Sequence, residues 1–166
     1  KKTHTTSHIL EEKEADNTIK SNNRSSEDNV KKYVEKYNTA SFKKNFIIGA
    51  NEAFKLIVSS FQNNNLDSIK NLLTEEVYEN FANERTYLED KPQKIYDVVS
   101  VESKILNVEI KKEFVFIKVE FKSIQVKSSE KVIEDKDERK LIDVWNFKKP
   151  TNSSNPNWIL TEVSSN

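Results

Sequence analysis

Residues 115–122 read Val-Phe-Ile-Lys-Val-Glu-Phe-Lys, and this alternation decides the fold class. The odd-numbered side chains of this stretch are all apolar, whereas Lys118, Glu120 and Lys122 stand among the even-numbered ones. A period of two residues is typical of a β-strand with one dry face and one wetter face. The stretch therefore predicts a strand of an antiparallel sheet.

The same period extends to both sides of this strand, from Ile95 to the end of the chain. Upstream, the apolar positions predict one long strand whose inward side changes by one residue, as at a β-bulge. Those inward positions are Val99, Val101, Ile105, Leu106, Val108 and Ile110. Downstream, residues 141–147 are apolar on both faces and predict a central strand, and residues 158–163 predict the last strand. Residues 128–140 are charged and predict the connection between two strands.

Before Pro92 the apolar residues recur every three to four positions, which predicts helices. The longest helix follows Ser41, a residue suited to its N-cap, and ends at residues 62–65. Its apolar stripe consists of Phe46, Ala50, Ala53, Phe54, Ile57, Val58 and Phe61. A short helix over residues 66–73 comes next, and Thr74 begins another one. This order predicts an α+β fold in which helices pack on a curved, four-stranded antiparallel sheet.

The N-terminal part of the chain is polar. Its first 28 residues contain only three sizeable apolar side chains, which are Ile9, Leu10 and Ile19. So few apolar groups predict a flexible tether over residues 1–28. Residues 29–40 have helical spacing and predict an amphipathic linker helix, after which residues 41–166 form the domain. Because the chain starts at Lys1 and contains no methionine, we expect a further segment to precede it in the gene product.

The composition excludes several classes of function. Lys plus Arg and Asp plus Glu both number 27, so the net charge is zero and no global field attracts nucleic acid. With no cysteine, the chain has no disulfide, thiolate metal site or thiol nucleophile. His4 and His8 have helical spacing but no third ligand beside them, so we expect neither a metal nor another cofactor. No stretch reaches the about 18 to 20 apolar residues of a membrane-spanning helix.

Five short motifs, taken together, resemble the bacterial Tim44-like domain family. They are residues 49–58 (Gly-Ala-Asn-Glu-Ala-Phe-Lys-Leu-Ile-Val), Leu72-Leu73, residues 77–81 (Val-Tyr-Glu-Asn-Phe) with Arg85, residues 143–147 (Asp-Val-Trp-Asn-Phe) and residues 155–160 (Asn-Pro-Asn-Trp-Ile-Leu). The first three are similar to the helical half of that domain, and the last two are similar to its closing strands. The likeness extends roughly from Phe42 to Val163, and the order of the motifs makes it specific.

This resemblance implies a cone like that of the nuclear-transport-factor-two superfamily. Mitochondrial members of the family are peripheral inner-membrane proteins that hold the import motor's chaperone at the channel and touch cardiolipin-containing membrane. Bacterial members commonly have an N-terminal anchor and a polar linker. The resemblance thus implies a non-catalytic adaptor in protein translocation or membrane-protein assembly, whose partners are anionic phospholipid and translocase or chaperone proteins. It places the domain at the inner membrane, on the cytoplasmic side in bacteria or in the mitochondrial matrix.

The segment from Tyr33 to Ile48 interleaves apolar anchors, Ile48 among them, with lysines inside it and just before it, as interfacial helices do. The predicted membrane-binding residues are Tyr33, Tyr37, Phe42, Lys43, Lys44, Phe46 and Ile47. Each lysine near an anionic surface contributes about 1 kcal/mol. The alternative is that Phe46 and Ile47 pack on the domain and the lysines form a solvated face.

A second hypothesis is a pocket for a hydrophobic ligand or for an isomerase-like reaction, as in related cones. The candidate lining residues are Phe54, Phe61, Tyr78, Phe81, Phe121, Asp143 and Trp145. Asp143 is the candidate base, because a strand face shared with Trp145 would desolvate its carboxylate. Alternatively, Asp143 pairs with a cation such as Arg85 or accepts backbone hydrogen bonds, and the aromatic residues are plain core. No histidine lies in the predicted domain and the chain has no phosphate loop, so we expect no enzyme.

Overall fold

The computed structural model describes residue 31, residues 34–128 and residues 137–165, and it confirms the predicted α+β order. The helices are α1 (Ala40–Gln62), a 3₁₀-helix (Leu66–Leu72) and α2 (Glu75–Leu88); the strands are β1 (Tyr96–Lys111), β2 (Phe114–Lys127), β3 (Glu138–Pro150) and β4 (Ile159–Ser165). Each strand pairs antiparallel with the next. Residues 34–37 are also helical. Residues 1–28 and 129–136, for which we predicted a tether and a connection, lie outside the described residues.

Strand β2 is one of the two inner strands of the sheet. Its odd-numbered side chains from Val115 to Phe121 have no exposed surface, as the alternation predicts. On β3, Trp145 lies opposite Val119 and Phe147 lies opposite Ile117, so these residues share the inward face. Strand β3 has a neighbour on both sides, which confirms the predicted central strand. It begins at Glu138, earlier than the prediction placed it.

Strand β1 has two irregularities where the sequence predicted one. Its register against β2 shifts between Ile105 and Asn107, as predicted, and also between Val98 and Ser100. The extra residues at these shifts, Val99 and Leu106, are 59% and 42% exposed, so the prediction that they face inward is wrong. A bulge leaves its extra residue outside the ladder, which explains their exposure. The residues of β1 that pack against the core are Val98, Val101, Ile105, Val108 and Ile110.

A tight turn at Lys112 and Glu113 joins β1 to β2. Both residues have left-handed φ angles, 48° and 70°, as in the type I′ turn that suits a twisted hairpin. Neither residue is glycine or asparagine, so each position costs about 1–2 kcal/mol of strain. Thr151 offsets part of this cost, because its backbone N–H and its hydroxyl both donate to the Glu113 carbonyl, at 2.9 and 3.2 Å. The turn is thereby tied to the loop between β3 and β4.

Helix α1 begins one residue before the predicted cap. The Thr39 hydroxyl accepts a hydrogen bond from the Phe42 N–H at 3.2 Å, so Thr39 is the N-cap and the prediction of Ser41 is wrong. Both residues have a suitable hydroxyl, but Ser41 already lies inside the first turn. At the other end, the Gln62 side chain accepts from the Tyr96 N–H at 2.6 Å and donates to the Tyr96 carbonyl at 2.8 Å. The C-terminus of α1 is thus fixed to the start of β1.

The middle of α1 packs on the inward face of the sheet through Phe54. Its ring lies 4.7 Å from Phe121 and 4.8 Å from Trp145, measured between ring centroids, and Phe121 and Trp145 lie 5.2 Å apart. All three side chains are buried. Further along the chain, Thr74 caps α2, as predicted, by accepting from the Val77 N–H at 3.3 Å. Its own N–H donates to the Leu160 carbonyl at 3.0 Å, which holds the start of α2 against β4.

Truncating Phe54 should therefore remove the main attachment of α1. We expect Phe54→Ala to lower the free energy of unfolding by about 3–5 kcal/mol, the usual cost of emptying a buried aromatic site. Denaturant unfolding followed by circular dichroism measures this loss. Leu56→Ala, two residues away but half exposed, is the matched control and should cost far less. A loss below about 1 kcal/mol for Phe54→Ala would contradict this account of the core.

Candidate ligand-binding groove

Four aromatic residues meet where α1 begins. Tyr37 precedes the helix, Phe42 and Phe46 lie on its first turns, and Trp158 comes from the loop before β4. The Tyr37 and Phe42 rings are 4.9 Å apart, and the Trp158 ring is 5.3 Å from Phe46 and 6.1 Å from Tyr37. Most of these contacts are edge to face, a favourable arrangement for aromatic rings. This aromatic cluster fastens the N-terminus of α1 to the β3–β4 loop.

Next to the aromatic cluster lies a groove of about 390 Å³. Its walls are Phe42, Asn45, Phe46, Gly49, Ala50 and Ala53 on α1, Leu72 of the 3₁₀-helix, Phe147 and Lys149 on β3, and Pro156, Asn157 and Trp158 in the loop. The α1 residues recur every three to four positions and so share one face of the helix. The groove is open where this face has short side chains: a Cβ added at Gly49 would meet no atom within 4 Å.

The groove is mainly apolar inside and has one lysine, Lys149, in its wall. Lys43 and Lys44 are exposed on the first turns of α1. Lys149 lines the groove itself, and its Nζ lies 5.8 Å from the centre of the Trp158 ring. Ile48 is 58% exposed, so an apolar side chain also points to solvent close to these lysines. Such an arrangement suits a ligand with an apolar tail and an anionic head.

The structure brings together most of the predicted membrane-binding residues but gives them different environments. Tyr37 and Phe46 are buried, Phe42 and Ile47 are half-buried, and both lysines are exposed. Tyr33 lies outside the described residues. Membrane binding by this set remains a prediction. Sequence reasoning missed Lys149 and Trp158 as candidates, because the loop and strand that face α1 cannot be recognised from local spacing.

The predicted pocket-lining residues occupy three separate places. Phe54, Phe121 and Trp145 are in mutual contact within the core. Phe61 and Phe81 pair with each other, with ring centroids 5.5 Å apart. Tyr78 lies elsewhere, and its hydroxyl donates to Asp67 at 2.6 Å. A ligand pocket formed by this whole set remains a prediction. The structure places the members of the set at three separate locations.

Asp143 lies on the inward face of β3, opposite Phe121 on β2. Burial raises the pKa of this carboxyl group, and the nearby Arg139 guanidinium lowers it in part. The proposed pairing with Arg85 is wrong, because Arg85 instead donates to Gln93 and stacks on Phe61. Among the described residues, no side chain donates a hydrogen bond to Asp143. A carboxylate in such surroundings is destabilised in its charged form.

A metal-binding cluster and a membrane-spanning helix are both absent from the described ranges. No group of three or more His, Cys, Asp or Glu side chains in residues 31, 34–128 and 137–165 could hold a metal ion. Within the same ranges, no helix is long and apolar enough to cross a bilayer.

Comparison with known families gives the class of the protein. The model of the Tim44-like domain matches residues 29–165, which is most of the chain. This chain therefore belongs to the Tim44-like domain family, whose members are membrane-associated and generally non-catalytic scaffolds of protein translocation. The resemblance seen in the sequence motifs is confirmed.

Among solved structures, the chain is similar to the intermembrane space region of the chloroplast protein ARC6. The two share 13% sequence identity with a TM-score of 0.45, over 67% of this chain and 86% of that one. At this identity and score the likeness is too weak to transfer any property. No curated protein matches the chain.

The raised pKa of Asp143 predicts a pH-dependent stability. Because the folded state holds the proton more tightly than the unfolded state, stability falls as the pH rises from the ordinary value of 3.8 through the raised pKa. Asp143→Asn should therefore raise the melting temperature at pH 7 by about 1–3 °C and have little effect below pH ~3.5. Thermal melts followed by circular dichroism at both pH values measure the difference.

Asp137 provides the control of opposite sign. The hydrogen bond from the Tyr96 hydroxyl lowers the pKa of Asp137, and Lys94 lowers it further. Asp137→Asn should thus lower the melting temperature at pH 7, where Asp143→Asn raises it. A lower melting temperature for Asp143→Asn at pH 7 would mean that its carboxylate makes a favourable interaction, contrary to this description.

Proposed function

We propose that this chain is a non-catalytic, membrane-associated adaptor domain that binds anionic phospholipid at the groove beside the start of α1. The apolar groove holds part of an acyl chain, Lys149 in the groove wall faces the headgroup, and Lys43 and Lys44 at the same end of α1 attract the anionic surface. The observation that carries the proposal is the open, mainly apolar groove with Lys149 in its wall. Membership in the Tim44-like family supports the scaffold role.

Two features favour lipid over a soluble apolar ligand. Exposed lysines next to an apolar surface are what peripheral proteins use at anionic membranes, where each contributes about 1 kcal/mol. Ile48, which is 58% exposed one turn after Lys44, offers a further apolar side chain next to these lysines. In this proposal the aromatic cluster forms part of the groove wall. Phe42 contributes to lipid binding as a residue of that wall.

The proposal extends to location and partners. We propose that the domain serves protein translocation or membrane-protein assembly at the inner membrane, on the cytoplasmic side in a bacterium or in the matrix in a mitochondrion. Cardiolipin is the expected lipid, and a translocase or chaperone protein is the expected partner. The domain brings that partner to the bilayer and performs no chemistry, since Asp143 has no acid–base partner among the described residues.

Charge and acyl-chain binding can be tested separately by vesicle sedimentation. Vesicles that contain cardiolipin should retain the protein better than neutral vesicles, and salt should weaken the retention. The double variant Lys43→Glu with Lys44→Glu should lower the affinity for anionic vesicles at least about tenfold. The matched control is Lys118→Glu with Lys140→Glu, on the opposite face of the sheet, which changes the net charge equally and should lower the affinity far less.

Gly49 tests the groove. A side chain at this position enters open space, so Gly49→Leu fills the groove, whereas Gly49→Ala leaves most of it free. Both variants should fold at least as well as the parent, because glycine inside a helix costs about 1 kcal/mol relative to alanine. Gly49→Leu should reduce retention several-fold and Gly49→Ala only slightly. Equal retention of all Gly49 variants, or equal retention on cardiolipin and neutral vesicles, would contradict the proposal.

A further inference from the structure

A second cavity, of about 350 Å³, lies at the other end of α1, between the start of the 3₁₀-helix and α2. Unlike the groove, it is lined mainly by polar and charged side chains. They include Asn64, Asn65, Asp67, Arg85, Thr86 and Glu89. With Gln93, which also lines it, the cavity combines one cation with two carboxylates and three amides.

Arg85 is held in a fixed orientation at the wall of this cavity. Its guanidinium carbon lies 5.5 Å from the centre of the Phe61 ring, and its Nη1 donates to the Gln93 side chain at 3.4 Å. Gln93 is itself anchored, because its Nε2 donates to the carbonyls of Leu88 at 2.7 Å and Lys91 at 3.1 Å. A guanidinium fixed in this way has little conformational entropy left to lose when it binds.

The other edge of the same guanidinium has no partner among the described residues. Its Nε is buried and makes no hydrogen bond there, and no described acidic side chain forms an ion pair with Arg85. The Nη2 atom has no hydrogen-bond partner among the described residues either and, unlike Nε, is not buried, so it can donate to a carboxylate in the cavity.

The surrounding charges define the rest of the ligand. Asp67 and Glu89 line the same cavity, so a purely anionic ligand would be repelled, whereas a ligand that also has a cation would be attracted. We propose that this cavity binds a small zwitterion, in its simplest form an α-amino acid. Its carboxylate accepts a hydrogen bond from Nη2 of Arg85, and its ammonium group faces Asp67 and Glu89. This site is independent of the lipid groove.

Arginine side-chain signals in ¹⁵N NMR spectra of the full chain give a direct test. The chain has three arginines, Arg24, Arg85 and Arg139, so few Nε–H signals compete, and Arg85→Lys identifies the one in question. Titration with L-alanine should shift this signal and the backbone signals of Asn65 and Thr86, with saturation in the millimolar range. Propionate, which lacks the ammonium group, and ethylamine, which lacks the carboxylate, should each bind at least about tenfold more weakly.

The variants separate specific binding from general effects. Arg85→Lys removes the planar guanidinium that Phe61 and Gln93 orient and should weaken alanine binding at least about tenfold, while Arg139→Lys should leave it unchanged. Glu89→Gln should weaken alanine binding but not propionate binding, and it is informative even if Arg85→Lys fails to fold. The proposal is overturned if alanine causes no shift up to about 50 mM. It is equally overturned if propionate or inorganic phosphate binds as well as alanine, or if binding survives in folded Arg85→Lys.

Discussion

The packing of Phe54 against Phe121 and Trp145 fixes the position of α1 on the sheet, and both candidate sites depend on it. The three rings lie within 4.7 to 5.2 Å of one another and have almost no contact with solvent. An aromatic group of this size contributes several kcal/mol through burial alone. Because α1 is rigid between its caps, fixing its middle also sets where its two ends lie.

Each end of α1 then meets a different part of the chain. Its start lies against the β3–β4 loop, where Phe42 and Phe46 contact Trp158 and the groove opens beside them. Its end is held to β1 by Gln62, and the second cavity opens beyond it. One helix thus supplies an apolar wall at one site and borders a polar cavity at the other. The fold separates a surface suited to lipid from a cavity suited to a small polar molecule.

Most of the fold could be predicted from the sequence because the information was local. The alternation from Val115 to Phe121 and the helical stripe through Phe54 each reflect one buried face, so the periods of two and of three to four residues predict them. The strained turn at Lys112 and Glu113 could not be predicted, because its residues are poor formers of left-handed turns and Thr151 holds them from a distant segment. The cap at Thr39 was missed because Thr39 and Ser41, on either side of Ala40, both have a suitable hydroxyl.

The candidate sites were harder to predict from the sequence than the fold was. Phe42 and the lysines beside it were recognised from their spacing, but the opposite wall of the groove, with Lys149 and Trp158, is brought there only by the tertiary fold. Arg85 was considered as a partner for Asp143, whereas the structure pairs it with Gln93. Whether a charged residue finds a partner depends on contacts between segments, and periodicity does not contain that information.

The central claim is that a lipid acyl chain enters the groove beside Trp158, and tryptophan fluorescence tests it most directly. Trp145 is the only other tryptophan, and its indole N–H has no partner among the described residues, so Trp145→Phe removes its emission without loss of a known hydrogen bond. Bound to anionic vesicles whose acyl chains contain bromine, this variant should show strongly quenched Trp158 emission. Adding Gly49→Leu should restore the emission. Protein that binds these vesicles with unquenched Trp158 emission would contradict the account.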